Sequence, residues 1–430
     1  MNLGQPIHNP FLQNIKSPIL AQSQLTELYT ILEQGRGYLN IFGECGTGKT
    51  IVLQCLGKID IEEFKGLGKF PKLVCIYINC RTKVPSSNPD QFWQTIFDEL
   101  EKKDLGIGDF KNIERSCQSL ASILEKLEKQ SKHLLLALDE FDGIIPINTV
   151  DNSNLQNIRH FLTELRGLTS HDSSAILAIG TRCGLDKLWE PFANPGDSSE
   201  FPNNSTRFLL GLWQEKLFEA FLERSQVGDQ SLFSTRQMRF IQNLSGRHPG
   251  LTKIAAKLLF NKRLDENTTN LTNSHLQEIA EQFIVESAST YSAIWRGMDE
   301  EEHLVVTIIV LENYQGKILN TIYSIKNINE SLDKRIVNDL KGRHLLLNND
   351  ENLSTYQIFS PFFSEWIVQE IAHEPPDALQ NRIMLYGGRI SRKNLEALRA
   401  ALQFLYQHKD KIKQYTEKAI KIAINIKNLI

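Results

Sequence analysis

Tyr38–Leu56 reads YLNIFGECGTGKTIVLQCL: a short apolar run, then Gly43-Glu44-Cys45-Gly46-Thr47-Gly48-Lys49-Thr50, then a segment with helical apolar spacing. Glycine at 43, 46 and 48 lets the backbone take turns that a Cβ would forbid, so that successive N–H groups can converge on one anion. Lys49 brings an ammonium to the same place, and the Thr50 hydroxyl is the oxygen such a loop offers to a nucleotide-bound Mg2+. A helix opening at Thr50 would add its N-terminal dipole. A full G-x-x-x-x-G-K-T between a strand and a helix predicts a phosphate-binding loop. Its nucleotide-binding residues are Gly43, Glu44, Cys45, Gly46, Thr47, Gly48, Lys49 and Thr50, with Thr50 also a metal ligand.

Around this loop the chain has 430 residues, too many for one core, so two or three domains are expected. A formal charge of −3 and 41% apolar residues describe an ordinary soluble protein. The balance is uneven, because residues 381–430 hold eleven Lys/Arg against three Asp/Glu, which suggests a separate role for the C-terminal end. The six cysteines form no C-x-x-C pair and read as reduced intracellular thiols. Cys45 sits in an electropositive loop that could depress its pKa, although a tolerated filler position is the plainer reading. The opening MNLGQPIHNPFLQ lacks the regions of a signal peptide, and the longest apolar-leaning run, Leu304–Leu311, is far short of the ~20 residues of a bilayer span. A cytoplasmic protein with no membrane partner is the expectation.

In chain order, Gln22–Gln34 has the spacing of a lead-in helix. Lys72–Asn79 reads as a buried strand, while Asp90–Lys102 and Ser116–Gln130 read as amphipathic helices. His133–Asp142 is HLLLALDEFD, in which five apolar residues end in Asp139-Glu140. This is the form of a second nucleotide-binding strand: Asp139 would hold Mg2+ through water, and Glu140 would polarise the attacking water. Ala175–Arg182 is a further buried strand, and in a parallel sheet Thr181 and Arg182 would emerge beside the third phosphate, where Arg182 could sense it. Pro191–Thr206 is a loop and Arg207–Leu212 the last strand of this part.

From Trp213 the apolar period becomes 3.6, as in a helical lid. Gly246-Arg247-His248-Pro249-Gly250 interrupts it, and Arg247 or His248 could reach the nucleotide, although Pro249 is equally what a plain helix start looks like. Helical stretches at Leu304–Leu311, Ile318–Ile325 and Ser331–Leu340, then a hairpin from Leu345–Leu347 to Tyr356–Phe359, describe a winged helix. Its mixed charges (Asp333, Lys334, Arg335, Asp339) do not support DNA reading. After a break at Gly387-Gly388, Lys393–Tyr406 and Asp410–Leu429 read as two basic amphipathic helices. With Leu395, Leu398, Leu402 and Leu405 on one face, they either pack on the rest of the chain or dock a partner protein or nucleic acid.

Asn9-Pro10-Phe11, Gly43–Thr50, Leu138–Asp142, Gly180–Arg182, Arg247–Gly250 and Tyr356–Ile367 together resemble the STAND class of P-loop ATPases, in particular its prokaryotic AAA-like branch. The resemblance covers about residues 9–370 and implies an α/β fold, a P-loop NTPase parallel-sheet core over 1–212. A helical lid over 213–298, a winged-helix-like domain over 299–371 and a basic helical C-terminal segment over 372–430 would follow. It implies a slow ATPase acting as a switch, with ATP/ADP and Mg2+ as cofactors, a protein partner or effector, and a nucleotide-dependent homo-oligomer. Glu140, Lys49 and Arg182 would be catalytic, Arg247 and His248 would join the nucleotide site, and Thr50 and Asp139 would hold the metal. Unlike that class, the chain shows no long repeat array and no separate effector enzyme. The alternative is a DNA-associated AAA+ ATPase of initiator or transposition-regulator type, with Arg166 as a candidate arginine finger. ATP held as a purely structural ligand fits less well with Glu140.

Overall fold

Leu39 and Ile41 of strand β1 (Gly37–Phe42) are buried on one face of a sheet and Tyr38 on the other, so the strand is covered from both sides. Such coverage is what a parallel sheet requires, and it follows from near-continuous apolar runs. The computed structural model describes residues 20, 22–34, 37–58, 72–83, 89–103, 105–107, 112–145, 152–169, 175–192, 205–223, 232–314, 332–349, 352–375, 378, 381, 384 and 390–412. Expectations for Asn9-Pro10-Phe11, Ile318–Ile325, Gly387-Gly388, the hairpin tip at Asp350 and Glu351, most of Pro191–Thr206 and Lys413–Leu429 fall outside them.

Helix α1 (Gln22–Gln34) precedes β1, and α2 (Lys49–Lys58) follows it after the glycine-rich turn. Then come β2 (Lys72–Asn79), the short α3 (Cys80–Lys83), α4 (Pro89–Glu101), α5 (Cys117–Glu128) and β3 (Lys132–Asp139). A 3-10 turn at Phe141–Gly143, α6 (Asn152–Gly167), β4 (Ala175–Thr181), α7 (Leu185–Trp189) and β5 (Thr206–Leu209) complete this part. The strands lie in the order β2-β3-β4-β1-β5, and every pairing is parallel. Along β3, Leu134, Leu136 and Leu138 enter one core with α4 to α6, whereas Leu135 and Ala137 enter the other with α1 and α2. Because the strands run the same way, the residues after β1, β3 and β4 share one edge of the sheet, where ligands of such folds bind.

Strand β5 is shorter than the expected Arg207–Leu212. Leu210 N still donates to Phe42 O at 2.8 Å, but Gly211 then lies so close to the His344 imidazole that no side chain fits there. Helix α6 had no counterpart in the sequence reading beyond Arg166 at its end.

By its contacts the chain divides into two units, one with the described residues of 15–44 and 48–210, the other with 45–47 and the described residues from 211 onward. The second unit contains α8 (Glu215–Glu223), α9 (Thr235–Ser245), α10 (Pro249–Asp265), α11 (Asn273–Arg296) and α12 (Glu300–Tyr314). It continues with α13 (Lys334–Gly342), the antiparallel pair β6 (Leu346–Asn349) and β7 (Asn352–Ile358), α14 (Pro361–Ala372) and α15 (Arg392–Gln407). Capping boxes at Ser234 and Thr272 start α9 and α11 by satisfying their first backbone N–H groups. Leu398, Ala401, Leu402 and Leu405 of α15 are buried, with α15 packed on α14, so the apolar face of the basic segment is used within the chain; Leu395 is only half-buried.

Arg343 and Glu302 form an ion pair at 2.5 Å with both side chains at most 3% exposed, and Asp339 also meets Arg343 at 3.1 Å. Removing one partner leaves the other charge buried, whereas removing both does not. Arg343→Ala is expected to destabilise this unit by about 3–5 kcal/mol. Arg343→Met combined with Glu302→Met should recover most of that loss, as read by chemical denaturation of each variant.

Candidate functional site

The turn between β1 and α2 is built on left-handed glycines, with φ of 153° at Gly43, 82° at Gly46 and 102° at Gly48. Alanine would be strained at each, which is why the spacing of these glycines is the signal. Lys49 Nζ folds back to donate to Gly43 O at 2.5 Å and Glu44 O at 2.9 Å. Thr50, in the first turn of α2, is exposed. Glu44 and Thr47 are buried and Cys45 is exposed.

At the end of β3, Asp139 is 1% exposed, and each carboxylate oxygen has a donor: Tyr77 Oη at 2.9 Å on Oδ2 and Glu140 N at 3.0 Å on Oδ1. Burial, then the Asp139 carboxylate, pushes the Tyr77 hydroxyl up to about 12, so it stays a donor at neutral pH. Glu140 takes a left-handed conformation (φ 51°), uncommon for a non-glycine residue and held by the 3-10 turn in which Gly143 N donates to Glu140 O at 2.9 Å. Its side chain is half-buried beside the buried Asp139. Gly180 of β4 faces this site: a Cβ there would collide with Leu53 of α2 and stand 3.3 Å from Asp139 Oδ1. Arg182 follows β4 in a short turn and is half-buried.

These residues fit a Mg2+-nucleotide. The turn is built on positive-φ glycines, with an ammonium beside its carbonyls and a held carboxylate ending a strand two places along the sheet. Among the described residues no cluster of three or more His, Cys, Asp or Glu could hold a metal by itself. No helix among them is long and apolar enough to cross a membrane.

His248 is the N-cap of α10, its Nδ1 accepting from Leu251 N at 3.4 Å, with Pro249 opening the helix, so the helix-start reading of this segment is realised. The same ring lies against the tip of the glycine-rich turn. A Cβ on Gly46 would be 3.0 Å from His248 Cε1, and one on Gly250 would be 3.0 Å from Gly46 O. Arg247 is also left-handed (φ 62°), and its carbonyl accepts from Trp213 N at 3.0 Å. Arg166 lies near Tyr38 at the amino end of β1, the opposite edge of the sheet from Gly43. Asn40 and Tyr77 escaped the sequence reading, because the groups they contact are remote in sequence.

The AAA domain family matches residues 32–188. No curated protein matches the chain. Among solved structures, the Aeropyrum pernix ORC2 protein is similar at 14% identity, covering 84% of this chain and 97% of that one, with a TM-score of 0.50. The Walker-type ATPase PABY2304 of Pyrococcus abyssi is similar at 14% identity over 83% of this chain and 98% of that one, with a TM-score of 0.52.

Burial and the charge of Arg247 hold the His344 imidazole below its ordinary 6.5, and its Nδ1 accepts from Leu212 N at 3.2 Å. The unfolded chain therefore takes up this proton first as pH falls, and stability is lost from about pH 6.5 downward. The fall in melting temperature between about pH 7 and 5 should be shallower in His344→Asn than in the wild type. Residues 32–188 match the AAA domain family, and the chain is a P-loop ATPase with a five-stranded parallel core.

Proposed function

We propose that the chain is a STAND-type switch that binds ATP with Mg2+, hydrolyses it slowly, and couples its nucleotide state to a protein effector in the cytoplasm. The observation that carries this reading is the approach of Gly46 to His248 and Gly250, which groups the tip of the phosphate-binding loop with the helices that follow residue 211. A loop that closes on phosphates cannot shift Gly46 without disturbing the start of α10, and a nucleotide favouring one arrangement shifts the population toward it. The ADPNP–ADP complexes of the Aeropyrum pernix ORC2 protein support an adenine nucleotide as the ligand.

In this reading Lys49 exchanges its loop carbonyls for phosphate oxygens, and the backbone N–H groups of Gly43–Thr50 line the same anion. Thr50 and Asp139 would hold Mg2+, with Tyr77 orienting Asp139, and the metal would supply charge neutralisation at the phosphates. Glu140 acts as the base toward water, and Arg182 contacts the third phosphate. Arg247 and His248 read the nucleotide through the loop tip. Residues 1–212 form the ATPase core, 213–298 the lid, 299–371 a winged-helix-like domain and 372–430 a basic segment.

An initiator-type AAA+ ATPase acting on DNA is the second reading, and assembly into a homo-oligomer is compatible with both. It is favoured by the reach of the likeness to ORC2, which runs over 84% of this chain rather than the P-loop region alone. Hydrolysis measured with and without duplex DNA separates the two. The switch reading expects slow turnover that DNA leaves unchanged, and DNA stimulation would replace it with the second. In either case Glu140→Gln should retain Mg-ATP while hydrolysis falls about 10²–10⁴-fold. Turnover equal to wild type would move the base to another residue.

A further inference from the structure

Asn40 occupies a position in β1 where the pattern calls for an apolar side chain. Leu39 and Ile41 face one core and Tyr38 the other, which places Asn40 on the Tyr38 face, and it is fully buried. An unpaired amide here would be costly, and this one is fully engaged. Asn40 Nδ2 donates to Thr181 Oγ1 at 2.8 Å and to Ile179 O at 3.4 Å, while its Oδ1 accepts from Leu185 N at 3.1 Å. Thr181 Oγ1 in turn donates to Cys183 O at 2.6 Å. The turn from Thr181 to Leu185 is therefore held at both ends by one side chain from the strand that leads into the phosphate-binding loop, and in its middle by the Thr181 hydroxyl. Arg182 lies within that turn.

Hydrophobic residues at position 40 would satisfy the sheet equally well, so a buried amide with these partners points to orientation of the turn. We propose that Asn40 is a positioning residue that sets the direction of Arg182 and so makes the site distinguish ATP from ADP. This rests on the reading of Arg182 as the contact to the third phosphate. Asn40 touches only the turn, and its effect reaches the nucleotide through Arg182.

The test measures equilibrium affinities for Mg-ATP and Mg-ADP in the full chain for wild type, Arg182→Ala, Asn40→Leu and the double variant. Arg182→Ala should cut the ATP/ADP affinity ratio about tenfold or more, the scale of a lost hydrogen bond to a charged group. Asn40→Leu, which keeps volume and removes the amide, should cut the ratio by a similar factor with ADP affinity changed less than about twofold. The double variant should lose no more than Arg182→Ala alone, because both substitutions act through one contact. Equal weakening of ATP and ADP, an unchanged ratio in Asn40→Leu, or additive losses in the double variant would each overturn the proposal. An unchanged ratio in Arg182→Ala would instead remove the phosphate-sensing reading itself, and the proposal with it. Should Asn40→Leu fail to fold, Thr181→Val deletes the acceptor from the other side and is judged by the same outcomes.

Discussion

Burial of the parallel sheet on both faces is the constraint on which the core unit depends. With Leu39 and Ile41 in one core and Leu134, Leu136 and Leu138 in the other, no face of the sheet is free to carry polar chemistry. What remains is the edge where the strands end, and parallel pairing brings Gly43, Asp139 and Thr181 to that edge together. The left-handed glycines after β1 let the backbone turn there, and Lys49 supplies the charge. The chemistry of the site thus follows from packing, because past the ends of the strands backbone N–H groups are released from the sheet ladder.

Several polar groups inside the fold are held by partners that fix their direction. Tyr77 and the Glu140 N–H divide the two oxygens of Asp139, so a carboxylate that is almost wholly buried points one way. Asn40 does the same for the turn after β4, and Arg343 with Glu302 for the helices α12 and α13. Buried polar networks of this kind specify one arrangement when every member is satisfied. Glu140 adds strain, since a non-glycine residue in the left-handed region persists only where its surroundings enforce it, and such residues gather at functional sites.

The loop was legible in the sequence because the glycine spacing is itself the chemistry. The strand Lys72–Asn79 was legible to its ends, and the apolar run within His133–Asp142 that closes on Asp139 marked the strand Lys132–Asp139, because buried parallel strands demand near-continuous apolar runs. Helix α6 was not legible, since Asn152, Ser153, Asn154, Gln156 and Asn157 make its opening largely polar. Asn40 and Tyr77 were hidden for a different reason: their partners lie 141 and 62 residues away, and only the β1–β4 and β2–β3 pairings bring them together. Likewise the motif around His248 carried two readings at once. The structure makes it a helix cap and also sets its ring against Gly46, a contact that no local pattern encodes.

Central to the proposed switch is a glycine-rich turn that binds nucleotide with Lys49 as its fixed charge. Titration of Mg-ATP and Mg-ADP into wild type and Lys49→Ala at equal ionic strength tests this most directly. The expected result is saturable binding by the wild type and loss of both nucleotides in Lys49→Ala, because the substitution removes the compact ammonium beside the loop carbonyls. Unchanged affinity in Lys49→Ala would contradict it.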